Sequence, residues 1–203
     1  YVDGFQTSDG ETEIADGWGY ESVNAMGKHW PGGGPEEGGR DAHYSFGKYA
    51  VYPGGNFEEH LRPFIKGAFR LRGRTGKAAA VMPYYTISWG VNPSGENIGN
   101  GFSRYLITDL LREKYGYDGV VCSDWGITHD YARIEESDGK CWGTENLGIA
   151  ERHYLAIRAG VDQFGGNDDM RPILAAWHMW AEEFGEDSAR KRFEQSAIRL
   201  LLN

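Results

Sequence analysis

Cysteine is nearly absent, and that scarcity excludes the classes built on it. Two thiols, Cys122 and Cys141, among 203 residues cannot make a disulfide scaffold or a four-ligand zinc site. Cys122 lies in an apolar run, so both are read as buried free thiols. Long apolar stretches are missing too. No run of about 18 uncharged apolar residues exists, so no membrane-spanning helix is expected. Positive charge is short, with Lys+Arg 21 against Asp+Glu 30 and a net charge of -9. That balance argues against nucleic acid, whose binders usually carry a basic patch. The segment from Tyr1 to Gly4 has neither the basic n-region nor the apolar h-region of a secretory signal. Coiled-coil heptads are absent, and so are low-complexity tracts beyond the glycines.

Glycine and aromatics are what the chain has in excess. Gly contributes 30 residues, about twice its usual share, beside Trp 7 and Tyr 12. A charged fraction of 25% with 40% hydrophobic residues is ordinary for a globular protein. Long loops with exposed aromatics point to a ligand-binding face.

Short β-like runs alternate with helical patterns. The runs cover residues 23–29, 78–84, 119–123 and 160–164. Between and after them, apolar residues recur at helical spacing over 57–69, 102–114, 147–157, 171–184 and 188–202. Pro63 marks the first turns of its helix or a kink, and Gly116 a C-terminal stop. The run Gly119-Val120-Val121-Cys122-Ser123 has the composition of a strand buried on both faces. Strand, loop and helix repeated four times predict a parallel α/β protein. The longest loop of each unit follows the strand, which is the asymmetry of a (β/α)8 TIM barrel with its site at the strands' C-terminal ends. Four units supply half of the eight strands such a barrel needs. The expected fold is therefore a partial (β/α)8 barrel. An assembly of two chains or a smaller open sheet are the alternatives. A half barrel would leave strand edges and one apolar side of the sheet open.

Polar residues gather where this reading puts the site. Lys28 and His29 end the first run, Tyr84 and Tyr85 the second, and Ser123-Asp124-Trp125 the third. An acid directly after a buried strand is costly to desolvate unless it is paired or faces a cleft; a loop cap is the plainer role. The adjacent Trp125 favours sugar chemistry, in which an aromatic stacks on the pyranose and a carboxylate meets the anomeric carbon. Trp30 is counted with Tyr84, Tyr85 and Trp125 as a strand-end aromatic of the ligand face.

These residues carry a family resemblance. Gly27-Lys28-His29-Trp30-Pro31-Gly32-Gly33-Gly34 resembles the Lys-His-Phe-Pro-Gly motif of glycoside hydrolase family 3, with Trp30 in place of the usual Phe. Tyr117-Asp118-Gly119-Val120-Val121-Cys122-Ser123-Asp124-Trp125-Gly126 resembles that family's nucleophile motif. Val81-Met82-Pro83-Tyr84-Tyr85 and Ala159-Gly160-Val161-Asp162-Gln163 fall where its neighbouring strand motifs would.

The resemblance implies a retaining, exo-acting β-glycosidase, most simply a β-glucosidase, without cofactor or metal. Asp124 would be the nucleophile; Lys28, His29, Tyr84 and Trp125 would bind the terminal sugar. It places residues 1–203 in the C-terminal half of the catalytic barrel. The first half and a following α/β sandwich domain, in the same or another chain, would be partners beside a β-glucoside or oligosaccharide. Homo-oligomerisation is left open, and a periplasmic or secreted location is favoured over a cytoplasmic one. In many of the family's β-glucosidases the acid/base is a Glu on the sandwich domain. Asp41-Ala42-His43 offers a second candidate, similar to the Asp-Ser-His dyad of the family's β-N-acetylglucosaminidases, with Ala42 in place of Ser and a longer segment over 35–40. Here His43 would be the acid/base and Asp41 its orienter. The alternatives are thus a β-N-acetylglucosaminidase, a non-catalytic sugar-binding remnant, or an unrelated α/β protein whose Asp124 caps a loop.

Other patterns fall away. Gly73-Arg74-Thr75-Gly76-Lys77-Ala78 lacks the first Gly and the Ser/Thr of a phosphate loop. Asn167-Asp168-Asp169 reads as a helix cap before Met170-Arg171-Pro172 rather than a calcium loop. Trp177 and Trp180, three apart on one helix, read as packing or a domain contact.

Overall fold

The computed structural model describes residues 1–130 and 139–202. A short helix, α1 (Val2–Gln6), leads into an antiparallel hairpin of β1 (Glu13–Ala15) and β2 (Trp18–Gly19). Gln6 latches this segment to the rest. Its fully buried amide accepts from the backbone of Ala25 (3.0 Å) and Ala79 (2.8 Å) and donates to Lys77 O (2.9 Å). Asp3 accepts from the backbone N–H groups of Arg72 (3.1 Å) and Gly73 (3.0 Å), so an internal carboxylate occupies the loop that brushes the phosphate-loop pattern.

The main sheet is parallel, with β3 (Met26–Trp30), β5 (Ala80–Pro83) and β7 (Val120–Val121) in that order. Its smaller companion pairs β4 (Tyr49–Ala50) with β6 (Ile87–Ser88). Residues 162–163 lie beside β7, with Ser123 N–H donating to Gln163 O at 2.8 Å. The four runs thus stand side by side in chain order. All four are shorter than their sequence suggests, and for two the cause is visible. Val23 is drawn off β3 because its N–H donates to Phe5 O at 2.8 Å. The fourth run forms a single bridge rather than a strand. There the Asp162 carboxylate takes the Val121 N–H at 3.0 Å, and Val121 O receives the N–H groups of both Asp162 and Gln163.

Alternation along the strands assigns the two faces. Val81 and Val121 join Trp30, Leu61, Phe64, Leu106 and Leu111 in the core beneath the helices. Ala80, Met82, Val120 and Cys122 form a second cluster on the opposite face. Each of these is at most 6% exposed, so the open apolar face expected of a half barrel is closed at these positions. Met26, 37% exposed, is the exception.

Helix α2 (Phe57–Pro63) passes at Pro63 into a wider turn over Phe64–Ala68, where Phe69 N–H donates to Phe64 O at 2.9 Å. Pro63 is therefore a kink, as a residue without an N–H would make it. The helix Tyr105–Lys114 is also wide and buries Leu106, Ile107, Leu110 and Leu111. It stops at Gly116, whose φ of 67° suits glycine. Then come α3 (Ile149–Ala159), α4 (Arg171–Phe184) and α5 (Glu186–Leu201). Leu147 precedes α3 instead of joining it. Asp169 accepts the Arg171 N–H at 2.9 Å from one residue before the cap position, which Met170 holds without a side-chain cap bond, so the expected Asn-Asp-Asp cap sits a residue early. Trp180 donates to Ser188 Oγ at 3.0 Å and packs edge-on against Tyr154, tying α4 to α5 and α3. Among the described residues no helix is long and apolar enough to cross a membrane.

One buried carboxylate ties sheet to helices. Asp162, whose side chain is fully buried, pairs with Arg112 (2.6 Å) and Arg199 (2.9 Å) and accepts from Ser196 Oγ (2.6 Å). Arg192 closes the cluster by donating to Val161 O at 2.7 Å.

Candidate functional site

Because β3, β5 and β7 are parallel, their C-terminal ends deliver the polar residues to one side of the sheet. Asp124 follows β7 and is 6% exposed. Its Oδ1 accepts the N–H of Trp125 at 2.8 Å. Its Oδ2 lies 3.3 Å from His29 Nε2 and, among the described residues, makes no hydrogen bond. A buried carboxylate oxygen left unpaired is costly in a structural role and useful in a reactive one. The His29 ring lies on Tyr84, with centroids 4.6 Å apart. Tyr84 in turn donates to Glu36 Oε1 at 2.8 Å. Lys28 stands opposite Met82 in the strand register and is exposed.

Burial sets the charges of this group. Desolvation holds the His29 pKa below its ordinary value; the Asp124 charge opposes that and Lys28 and His43 reinforce it. Tyr84 is driven well above the phenol range by burial and then by Glu36. Tyr85 is driven further by burial and then by Asp124. Burial, helped by Asp124, pushes the Cys122 thiol up to about 11. The carboxylate is therefore surrounded by an imidazole and two phenols that stay uncharged at neutral pH.

Trp125 is 52% exposed and rests on the backbone of Gly165 and Gly166. A Cβ at either glycine would collide with the indole, so this pair makes room for the ring. Gly165 N–H donates to Ser123 Oγ at 3.0 Å, fixing the loop to the end of β7.

Asp41 and His43 sit on the loop after β3. Asp41 Oδ1 accepts from both the N–H (2.9 Å) and Nδ1 (2.7 Å) of His43, and these bonds lower the Asp41 pKa. Ala42 between them is buried and its carbonyl receives Trp142 Nε1 at 2.8 Å. The ring of His43 lies edge-on to Tyr85 at 4.9 Å, which brings the pair to the rim of the Asp124 site.

The structure thus brings His29 into contact with both Asp124 and Tyr84, with Lys28 and Trp125 beside them in the chain and Asp41 and His43 at the edge. Trp30 is a correction. It is fully buried, donates from Nε1 to Leu106 O at 3.0 Å and meets Phe64 edge-on, so it belongs to the core beneath the helices. Tyr85, read from sequence as a strand-end aromatic of the ligand face, joins the Asp124 group. Two further residues were not singled out from sequence. Lys140, whose Nζ is 5.7 Å from the Tyr85 ring centre, and Glu36 carry no local signal.

Comparison with known proteins bears on the family of the chain. The family model "Glycosyl hydrolase family 3 N terminal domain" matches residues 1–168. Beta-glucosidase C of Emericella nidulans is 40% identical over 202 residues, covering 99% of this chain and 29% of its own length. The periplasmic beta-glucosidase/beta-xylosidase of Dickeya chrysanthemi is 40% identical over 190 residues, covering 87% of this chain and 27% of its own. Among solved structures, a family 3 beta-N-acetylglucosaminidase from Paenibacillus superposes with a TM-score of 0.62 at 27% identity, over 89% of this chain and 30% of that one. The chain spans less than a third of the length of these curated relatives. Its order of strand-end motifs, the match over residues 1–168 and the near full-length identity to two relatives agree: the chain belongs to glycosyl hydrolase family 3.

Proposed function

We propose that residues 1–203 form the C-terminal half of a (β/α)8 catalytic domain that cleaves terminal, non-reducing β-D-glucosyl residues with retention of configuration. The observation that carries this reading is the unpaired Oδ2 of a buried Asp124 at the ends of three parallel strands. In the first step Oδ2 attacks the anomeric carbon, the glycosidic C–O bond breaks, and an acid protonates the departing oxygen. In the second, water attacks the glycosyl-Asp124 ester and gives its proton to the same group. His29 and Lys28 hold sugar hydroxyls, Tyr84 fixes His29, and Trp125 stacks on the ring at the site's mouth. Tyr85, kept protonated, donates toward the carboxylate and limits its basicity. The half-barrel assignment is supported by the chain-order array of strands and the relatives' greater length. The remaining barrel half and an α/β sandwich domain, in the same chain or another, complete the site and supply the acid/base. The periplasmic relative favours a periplasmic or secreted location.

A second reading has its own observation. The Asp41–His43 pair is preformed and touches Tyr85, the arrangement a β-N-acetylglucosaminidase with His43 as acid/base requires. Full-length protein assayed on p-nitrophenyl β-glucoside and on the N-acetyl-β-glucosaminide decides between them. The first reading predicts preference for the glucoside and less than about tenfold loss in His43→Ala. The second predicts the opposite preference and a loss of about 10²–10⁴-fold, the usual worth of a general acid. Hydrolysis of neither substrate contradicts both and leaves a non-catalytic sugar-binding module.

A further inference from the structure

A second pocket opens on the strand-end side of the sheet, away from Asp124. Its volume is about 490 Å³ and its walls include Val51, Tyr52, Phe57, Trp89 and Val91. That size falls within the range of small-molecule sites, roughly 300–1,000 Å³. Among the described residues no charged side chain lines it, so an anionic or cationic ligand has no counter-charge among them. Trp89 is 53% exposed, and Tyr49 holds its indole edge-on at 5.2 Å. Tyr52 is fixed by its hydroxyl, 3.3 Å from Ser88 Oγ. Ser88 donates to Asn100 Oδ1 at 2.8 Å, and Asn100 donates to Thr86 Oγ1 at 3.0 Å. A buried polar relay thus stands behind an aromatic wall. Such a surface suits a neutral ring with apolar C–H faces and hydroxyl edges.

The backbone links the pocket to the Asp124 site. Ala50, the residue before Val51, bridges to Glu36, whose carboxylate holds Tyr84. Trp89 follows Tyr85 by four residues, so their Cα atoms are at most about 14 Å apart. One short oligosaccharide can reach both places.

We infer that the Tyr52–Trp89 pocket is a second sugar subsite, holding a pyranose ring of an oligosaccharide substrate on the leaving-group side of the scissile bond. The assignment rests on the exo-glycosidase reading, since an exo-acting enzyme places its single non-reducing ring at the nucleophile and every other ring beyond it. The pocket then gives the enzyme a preference for oligosaccharides over small aryl glucosides.

The test compares kcat/KM of the full-length protein for β-1,3- and β-1,4-linked glucotetraoses with that for p-nitrophenyl β-glucoside. In Trp89→Ala the tetraose-to-aryl ratio should fall about tenfold for the better tetraose, the worth of one aromatic stack with its buried area. Trp89→Phe should restore most of it, and Trp89→Gln should repeat the loss if the alanine variant folds poorly. An unchanged ratio, or an equal loss on all substrates with a lowered melting temperature, overturns the subsite and makes the pocket a packing surface for another part of the protein. Calorimetric titration of Asp124→Asn with the tetraoses separates the two claims. Should the wild type hydrolyse nothing, the glycosidase reading fails, while tetraose binding that weakens in the added Trp89→Ala change still supports the subsite. Binding indifferent to Trp89 removes the subsite.

Discussion

His29 lies within 3.3 Å of a carboxylate, yet burial outweighs that attraction and keeps its pKa below 6.5. This residue-scale competition has a pH signature. Between the lowered folded value and the unfolded value near 6.5, the unfolded chain binds a proton that the folded chain does not. The stability this group contributes is therefore fully present above about pH 6.5 and is lost as pH falls through that window. Wild-type melting temperature should drop more than that of His29→Gln between pH 7 and pH 5; an equal drop would place the linked proton elsewhere. Protonated His29 would also pair with Oδ2 and occupy the attacking lone pair, so kcat/KM should fall over the same window. Cys122 offers an independent check on burial. With its thiol pushed up to about 11, native protein at pH 8 should leave Cys122 unalkylated by iodoacetamide, and denaturant should make it reactive. Labelling of the native protein at Cys122 would contradict the closed inner cluster.

At the scale of elements, Asp162 does what no ladder bond does. It joins β7 through Val121, the helix Tyr105–Lys114 through Arg112, and α5 through Ser196 and Arg199. Replacing it by Ala leaves partly buried guanidinium groups without their counter-charge. Asp162→Ala should cost about 3–5 kcal/mol in urea unfolding, the usual penalty for breaking a buried pair; a loss under about 1 kcal/mol would mean water already screens the cluster. The second element-level device is the glycine pair under Trp125. Gly166→Val should displace the indole and raise KM for aryl glucosides with a smaller effect on kcat, and an unchanged KM would remove Trp125 from the binding face. Much of this scale was legible beforehand. Helix α4 runs from Arg171 to Phe184, as its apolar spacing indicates, and Pro63 kinks its helix where its missing N–H demands. The shortened fourth strand was not legible, because a side-chain carboxylate replaces a backbone acceptor there. Glu36 was not legible either, since its role comes from a loop folding back onto a tyrosine 48 positions away. Trp30 shows the limit of reasoning by strand end alone. Which face an aromatic takes depends on register, and its register puts it under the helices.

At the scale of the molecule, the parallel array has two margins without a strand partner among the described residues, β3 on one side and residues 162–163 on the other. The apolar inner face is covered at Ala80, Met82, Val120 and Cys122, so the exposed apolar load lies elsewhere. Met170, Leu174, Ile198, Leu201 and Leu202 are between 51% and 84% exposed. Residues 1–203 expressed alone should therefore associate or melt without cooperativity. A monomer with a sharp thermal transition would show that the four units suffice as a fold.

The claim on which the rest depends is that Asp124 becomes covalently attached to the sugar. Full-length protein incubated with 2-deoxy-2-fluoro-β-glucosyl fluoride, which forms the glycosyl-enzyme readily and releases it slowly, should gain one fluoroglucosyl mass. Peptide mapping should place that mass on Asp124. Inactivation with the label on another residue, or steady turnover of β-glucosides without any covalent species, would contradict the account.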